Sequence, residues 1–470
     1  MIAPLDLAPD RRVGLPLQQQ IYQRLRDAIA AGRLRAGERL LSARDLAASL
    51  GVARGTVDAA LGRLAGEGYV ETRGPAGSFV SSHVAAMAPP PAPRADRALA
   101  VPDPSGRIGA FQPGLPALDA FPRVLWSRLV ARAGRQLAPA MLAYPDPAGL
   151  ASLRAAIAAY LALSRGIACG AAQVFVTAGY QGALALIARA RLRPGVAVWV
   201  EDPGYLRARQ GLAAAGAVLV PVPVDAEGLD VAAGRARAPH AGFALVTPTH
   251  QSPLGMALSL RRRLALLAWA EAAGAWIIED DYDSEFRYTG PPLPALKSLD
   301  RAGRVLYAGS FSKTLFPALR LGYLVVPEAE VAAFAAAAGS LHQGCPPLEQ
   351  AIVAAFITEG HFARHLRRMR LLYAVRRAAL TASLGEAFGD AARIDRQAGG
   401  MHLLLRLPGR DDTELAGLAA ASGLAPQPLS ALAIEAGGEG GLILGFATVA
   451  AEDVKLVARR LAAALGAGRG

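Results

Sequence analysis

Between Ser81 and Arg107 the chain reads SSHVAAMAPPPAPRADRALAVPDPSGR, rich in proline and alanine and without hydrophobic periodicity. Pro89, Pro90, Pro91 and Pro93 favour extended, semi-stiff backbone, the behaviour of a spacer. A structureless stretch of this length is uncommon inside one compact domain. The segment therefore divides the 470 residues into a small domain over 12–81, a linker over 82–107 and a large domain over 108–466. The alternative is an ordered loop lying on a domain surface. No internal repeat is visible.

Composition narrows the class. Hydrophobic residues make up 53% of the chain and charged residues 19%, which excludes a mostly disordered protein. Cys169 and Cys345 are the only cysteines, too few for a disulfide scaffold. No uninterrupted apolar run reaches the roughly 18 residues of a membrane span. Met1 to Arg12 carries Asp6 and Asp10 and lacks the positive start and apolar core of a signal peptide. A soluble cytoplasmic protein is expected, with no membrane partner. The formal charge of +12 permits an anionic partner without identifying one.

In the small domain, Leu17 to Ala31 places Ile21, Leu25, Ala28 and Ile29 on one face of a helix, and Gly32 ends it. Ser42-Ala43-Arg44-Asp45 has the spacing of a capping box before a helix whose stripe is Leu46 and Leu50. A third helix over Arg54 to Ala65 turns Val57, Leu61 and Leu64 inward and leaves Arg54, Thr56, Asp58 and Arg63 outside. Tyr69–Thr72 and Ser78–Ser81 read as two short strands around Gly74-Pro75-Ala76-Gly77. Two short helices joined by a tight turn and followed by a hairpin describe a winged helix-turn-helix, whose second helix fits the major groove. A three-helix docking module is the alternative, and charge does not decide between them: residues 1–80 hold 11 arginines against 8 carboxylates.

The text PLQQQIYQRLRDAIAAGRLRAGERLLSARDLAASLGVARGTVDAALGRLAGEGYVETRGPAGSFV resembles the DNA-binding domain of the GntR family along its whole length. The resemblance implies double-stranded DNA as partner, with Arg44, Arg54 and Thr56 contacting groove or phosphate. Ser42 and Arg73 would support them, and Gly77 would let the wing approach closely. Leu41 stands where the family commonly has Pro, and Ala53 where it has Ser. Ala53 is a poor N-cap for the presumed recognition helix.

In the large domain, runs of β-formers alternate with alanine-rich helical stretches. Val174–Thr177, Val196–Val200, Phe243–Val246, Ala275–Glu279 and Val305–Ala308 are the clearest strands. Apolar runs of this length between helices indicate an α/β fold with a mostly parallel sheet covered on both faces. Ligands of such sheets sit beyond the carboxyl ends of the strands. Those ends are followed here by Ala178-Gly179-Tyr180-Gln181, Glu201-Asp202-Pro203-Gly204-Tyr205, Thr247-Pro248-Thr249-His250-Gln251, Asp280-Asp281-Tyr282-Asp283 and Gly309-Ser310-Phe311-Ser312-Lys313. Small residues opening a helix offer free amides to an anion, although a plain strand-to-helix turn looks the same.

Lysine usage adds a constraint. The chain holds only Lys297, Lys313 and Lys455, and arginine serves elsewhere. A desolvated lysine amine condenses with an aldehyde where arginine does not. A strand-end Lys313, a strand-end Asp280 and phosphate-binding loops together meet the needs of pyridoxal 5′-phosphate: an amine for its aldehyde, an acid for its pyridine nitrogen, and amides, hydroxyls and an arginine for its phosphate. A metal cluster at Glu279–Asp283 is the competing reading, without the turn glycine and spacing of a calcium loop; no metal is expected.

Residues 108–466 are similar to the class I/II aminotransferases of fold type I. The resemblance rests on Tyr144-Pro-Asp-Pro-Ala-Gly149-Leu150, Val176-Thr-Ala-Gly179, Glu201-Asp-Pro-Gly-Tyr205, Glu279-Asp-Asp-Tyr282 and Ser310-Phe-Ser-Lys313 with Arg320-Leu-Gly-Tyr323. Joined to a GntR module by a linker, the whole resembles a MocR-type transcriptional regulator. It implies a fold type I domain with a smaller C-terminal α+β subdomain, and a homodimer arranged head to tail. Lys313 would form the internal aldimine, Asp280 would pair the pyridine nitrogen, Tyr282 would bond the ring phenolate and Tyr205 would stack on the ring. Gly179, Tyr180, Gln181, Ser310, Ser312 and Arg320 would hold the phosphate. Tyr144 would reach in from the other subunit, and His250 or Gln251 would sit near the phenolate. Aminotransferases usually clamp the substrate carboxylate with an arginine on a C-terminal strand; Gly441-Leu442-Ile443-Leu444-Gly445-Phe446 has none, and Arg207 is the candidate for a differently placed carboxylate.

Three readings follow. The first is a regulator that senses pyridoxal phosphate, or an amine or amino acid, through Lys313. The second is a working aminotransferase with an accessory DNA-binding head, so enzymatic turnover stays open. The third is a cofactor-binding protein whose winged helix contacts protein.

Overall fold

The computed structural model describes residues 8–9, 14–82, 108–290, 293–341, 344–395, 397–435 and 438–466. The chain divides into two compact units, one within residues 1–105 and one within 106–470. Apart from Ser82, the expected linker lies outside the described residues.

The small unit follows its apolar spacing. Helix α1 (Leu17–Ala30) buries Ile21, Leu25, Ala28 and Ile29. Helix α2 (Ala43–Leu50) buries Leu46 and leaves Leu50 half-buried, and α3 (Arg54–Gly66) buries Val57, Leu61 and Leu64. These faces meet in one core that takes in Val70 and Val80 from the wing. Strands β1 (Val70–Thr72) and β2 (Ser78–Val80) pair antiparallel, Val70 opposite Val80. The capping box is half formed: the Ser42 hydroxyl accepts the Asp45 N–H at 3.2 Å, while the Asp45 carboxylate turns to that hydroxyl at 2.6 Å.

The large unit begins with α4 (Arg123–Arg135) and α5 (Ala151–Arg165). Strands and helices then alternate: β3 (Val174–Thr177), α6 (Gly179–Arg191), β4 (Ala197–Asp202), α7 (Leu206–Ala214), β5 (Val218–Asp225), β6 (Gly228–Leu229), α8 (Val231–Arg237), β7 (Phe243–Val246), α9 (Leu260–Ala273), β8 (Trp276–Asp281), β9 (Val305–Ser310) and β10 (Gly322–Val325). Their sheet has the order β3-β10-β9-β8-β7-β4-β5-β6. Strands β5, β4, β7, β8 and β9 run parallel; β10 is antiparallel to both neighbours and β6 to β5. The sheet is buried on both faces as its apolar strands require. Phe175, Leu184 and Phe334 pack on one side, and Trp199 stacks on Trp269 at 3.8 Å on the other.

Helices α10 (Val331–Leu341), α11 (Pro347–Thr358) and α12 (His361–Phe388) lead to a second layer. There β11 (Arg393–Asp395), β12 (His402–Arg406), α13 (Asp412–Ala421), β13 (Gln427–Pro428), β14 (Leu442–Gly445) and α14 (Val454–Ala464) form an antiparallel sheet of order β11-β12-β14-β13 with two helices. This is the smaller α+β layer implied by the family resemblance. Residues 109–112 join it: the Ala425 N–H donates to the Ala110 carbonyl and the Gly445 N–H to the Phe111 carbonyl. No helix among the described residues is long and apolar enough to cross a membrane.

Three strands run further than their apolar residues predict, and β4 does so through Glu201 and Asp202. β8 continues through Asp280 and Asp281, and β9 through Ser310. Backbone ladders to Ala308 and Gly309 hold the two aspartates in register, and the period of two sends their side chains to opposite faces.

Candidate functional site

The carboxyl ends of β3, β4, β7, β8 and β9 carry the residues that the sequence singles out. Asp280 is the last but one residue of β8 and is buried. Burial pushes its carboxyl up to about 8, with Asp281, Glu201 and Asp283 adding to the rise and the nearby Tyr180 hydroxyl opposing it. Asp281, on the other face, pairs with Arg165 at 2.8 Å and accepts the Tyr307 hydroxyl. One aspartate is thus neutralised by built-in partners, and its neighbour is left facing the crevice.

Lys313 follows β9 and donates to the Gly114 carbonyl at 2.5 Å. Burial lowers the pKa of its amine, the Asp283 and Asp280 carboxylates oppose that fall, and Arg207 adds to it. Arg207 lies in the first turn of α7 and is exposed; its charge also acts on the Tyr205 phenol. Tyr205 caps the same helix with its ring 6.1 Å from Tyr180. Gly114, with φ near +83°, admits no other residue easily: a Cβ there would stand 3.0 Å from the Lys313 Nζ.

At the start of α6, Gly179 has φ near +72°, and a Cβ on it would lie 3.6 Å from the Arg320 guanidinium. Arg320 itself adopts left-handed backbone, φ near +52°, a conformation that costs a non-glycine residue about 1 kcal/mol or more. The Tyr180 hydroxyl is buried and acts on the Asp280 carboxyl. Ser310 Oγ accepts the Ser312 N–H at 3.1 Å. A helix N-terminus and an arginine therefore meet at Gly179, while the Tyr180 hydroxyl stands by the Asp280 acid.

Tyr282 is half-buried, with its hydroxyl 2.8 Å from the His250 Nδ1. The Gln251 side chain is engaged elsewhere. Its amide nitrogen donates to Glu201 Oε2 at 3.2 Å and to the Pro203 and Ser252 carbonyls at 2.9 Å each, and its oxygen accepts the Leu254 N–H. Of the two candidates for the phenolate side, His250 is the one at Tyr282; Gln251 braces the turn against Glu201, whose burial raises its carboxyl to about 7. Tyr144 is 88% exposed.

Ile443 is buried beside Leu404, Leu429 and Leu432, with Leu206 and Leu254 packed on them. An apolar cluster thus occupies the place where the resemblance would seek a carboxylate-binding arginine. Sequence reasoning missed Gly114, Asp283, Gln397 and His402. Asp283 lay in plain view within the Glu279–Asp283 run; Gln397 and His402 reach the site from 144 or more residues along the chain, with no local pattern to mark them.

In the small unit, Ser42, Arg44, Arg54 and Arg73 are exposed and Thr56 is half-buried. Arg54 pairs with Asp58 at 3.4 Å, and Arg73 with Glu71 at 3.1 Å while lying over the Phe79 ring. Gly77 (φ near +100°) faces Arg39, 3.4 Å from where a Cβ would stand. Arg39, opposite Phe79 by a β-bridge, is a further cation at the wing. Ala53 has extended backbone and no side-chain cap.

Residues 122–461 match the family "Aminotransferase class I and II" and residues 17–80 the family "Bacterial regulatory proteins, gntR family". The probable rhizopine catabolism regulatory protein MocR of Rhizobium meliloti is 40% identical over 461 residues, covering 94% of this chain and 92% of that one. The chain belongs to the MocR-type regulators. Another relative, the pyridoxine biosynthesis regulator PdxR of Corynebacterium glutamicum, is 32% identical over the whole of both chains. The large unit of this MocR-type chain is similar to LysN, an α-aminoadipate aminotransferase from Thermus thermophilus crystallised with N-(5′-phosphopyridoxyl)-L-leucine. The identity is 30% and the TM-score 0.70, over 76% of this chain and 92% of that one.

Pyridoxal phosphate is accordingly the cofactor of this MocR-type fold, and the residues present fit it. The buried Asp280 carboxyl lacks the cation that would return it to its ordinary range, and a protonated pyridine nitrogen is such a cation. The bare Cα of Gly179 at the start of α6, beside Arg320, leaves room and donors for an anion.

Proposed function

We propose that this regulator binds operator DNA as a homodimer and changes its hold on DNA when an amine, or the cofactor itself, engages Lys313. Pyridoxal phosphate supplies, when bound, an aldehyde that exchanges between amines and a ring that draws electrons. Lys313 offers an amine whose desolvation favours the unprotonated, nucleophilic form. Asp280 holds a proton at the ring nitrogen, Tyr282 donates at the phenolate oxygen and Tyr205 covers the ring face. Gly179, Tyr180, Gln181, Ser310, Ser312 and Arg320 fix the phosphate. Tyr144 enters the partner subunit's crevice, in keeping with its exposed side chain.

The observation that carries this reading is the desolvated Lys313 amine facing the Asp280 and Asp283 carboxylates, together with an apolar cluster of Leu404, Leu429, Leu432 and Ile443 where the resemblance would seek a second arginine. Such a cluster suits capture of an amine better than repeated turnover of amino acids. Arg207 is the cation that would meet an effector's acid group. In the small unit, Arg44, Arg54 and Thr56 reach the groove, Ser42 and Arg73 support them, and Gly77 brings the wing backbone to the phosphates.

The test is a titration of DNA from the chain's own upstream region, followed by fluorescence anisotropy, with and without pyridoxal phosphate and candidate amines. Affinity that responds to either, and ceases to respond in Lys313→Ala together with loss of the visible cofactor band, is the expected result. Affinity indifferent to all of them would overturn the sensing role.

A further inference from the structure

His250 is held by more of the molecule than a phenolate neighbour requires. Its Nε2 lies 3.2 Å from Gln397 Oε1. The Gln397 amide nitrogen is already committed, 3.1 Å from the Leu254 carbonyl and 3.4 Å from that of Pro253, so the oxygen must face the ring and His250 Nε2 must carry a proton. Two glycines close over the pair. A Cβ on Gly400 would fall 2.1 Å from the His250 Cε1, and one on Gly255 2.2 Å from Gln397 Cδ. Both have φ between +80° and +85°, so bare backbone is needed there twice over.

With Nε2–H fixed, the state of Nδ1 is the remaining variable. It faces two groups at once, the Tyr282 hydroxyl at 2.8 Å and Asp283 Oδ1 at 3.1 Å. Nδ1 serves the two differently in its two states. Unprotonated, its lone pair accepts the Tyr282 O–H. Protonated, it donates to Asp283, and the Tyr282 hydroxyl, which also has the Ser252 side chain beside it, can turn its proton into the crevice. Asp283 is buried, with its second oxygen lacking any hydrogen-bond partner, an arrangement that needs a cation nearby.

We propose that His250 and Asp283 form a positioning pair that decides whether the Tyr282 hydroxyl donates to the histidine or to the ligand in the crevice. A proton arriving at Nδ1 is balanced by Asp283, and the hydroxyl turns outward; its departure draws the hydroxyl back. The groups facing His250 set the balance. Asp283 and Gln397 favour the charged ring, whereas burial and Arg287 oppose it. His402, with its ring centroid 5.7 Å away, is held down to about 4 by burial and by His250 itself, so it stays neutral. The outcome favours a His250 that is charged more readily than an ordinary histidine.

The proposal rests on the reading of Tyr282 as the group at the cofactor's phenolate oxygen, and two measurements separate the parts. The first follows the ¹⁵N shifts of the histidine rings in the full-length, cofactor-free chain as pH is varied. His250 is expected to hold its proton about one pH unit or more higher in wild type than in Asp283→Asn, the shift a carboxylate at this range produces. Equal titration in the two overturns the pair. The second follows the visible band of the loaded protein against pH in His250→Gln, Tyr282→Phe and the double variant. Each single change is expected to move the midpoint, and the double variant to move it no further than the larger single shift. Additive shifts, or a midpoint unmoved by Tyr282→Phe, overturn the coupling. A chain that takes up no cofactor refutes the crevice reading, while the first measurement still judges the pair.

Discussion

Asp280 and Asp281 are adjacent in sequence and opposite in environment. Asp281 has Arg165 and Tyr307; Asp280 has burial and a crevice. Without a cofactor, folded Asp280 keeps its proton up to about pH 8, whereas the unfolded chain loses it in the ordinary carboxylate range. The folded state therefore binds the extra proton between these limits, and stability of the cofactor-free chain falls as pH rises through them. Asp280→Asn removes that dependence. Scanning calorimetry of the cofactor-free proteins should show the variant melting above wild type near pH 8, with the difference narrowing as pH falls towards 4. Added pyridoxal phosphate should reverse the order, because only the carboxylate gains a cation. At this scale the sequence was informative wherever chemistry lay in a short run. Lys313 and Tyr282 were legible from their strand-end motifs, and His250 as one of two options. The choice against Gln251 was not legible, because it depends on Glu201, 50 residues earlier in the chain, claiming the amide.

At the level of elements, apolar spacing located all three helices of the small unit and five strands of the large sheet, four central and one at its edge, since those faces must be buried whatever surrounds them. Strand ends were harder to read. Polar residues such as Asp280, Asp281 and Ser310 look like loop until backbone ladders to their neighbours hold them in the sheet. Capping was legible in part: Ser42 caps α2, and Ala53 leaves α3 without a side-chain cap. Ala53→Ser should therefore stabilise the small unit by about 1 kcal/mol, and Ser42→Ala should cost a similar amount; thermal denaturation of the full chain reads both. DNA binding offers a second check on α3. Arg54 shares its charge with Asp58, so Arg54→Ala should weaken operator binding and lessen its salt dependence, while Asp58→Ala should strengthen binding. Anisotropy titrations at several salt concentrations would show it.

For the whole molecule, the cores are separate. The cluster around Ile21, Leu25, Val57 and Leu64 contains only residues of the small unit, and the other clusters contain only residues of the large one. Calorimetry of the intact chain should resolve two transitions, and pyridoxal phosphate should raise only the one belonging to the large unit. A single transition shifted as a whole would mean that the units unfold together. Their joint architecture was readable from the proline-rich stretch. The pairing of residues 109–112 with the C-terminal sheet was not, because it joins segments more than 300 residues apart through backbone alone. That stretch of chain runs on to Gly114, whose carbonyl accepts a hydrogen bond from Lys313. The amine that would take up an aldehyde is thus the donor to this oxygen, so residues 109–114 are tied to the state of one side chain. Amide hydrogen exchange across residues 109–116 would then serve as a gauge of what the crevice holds.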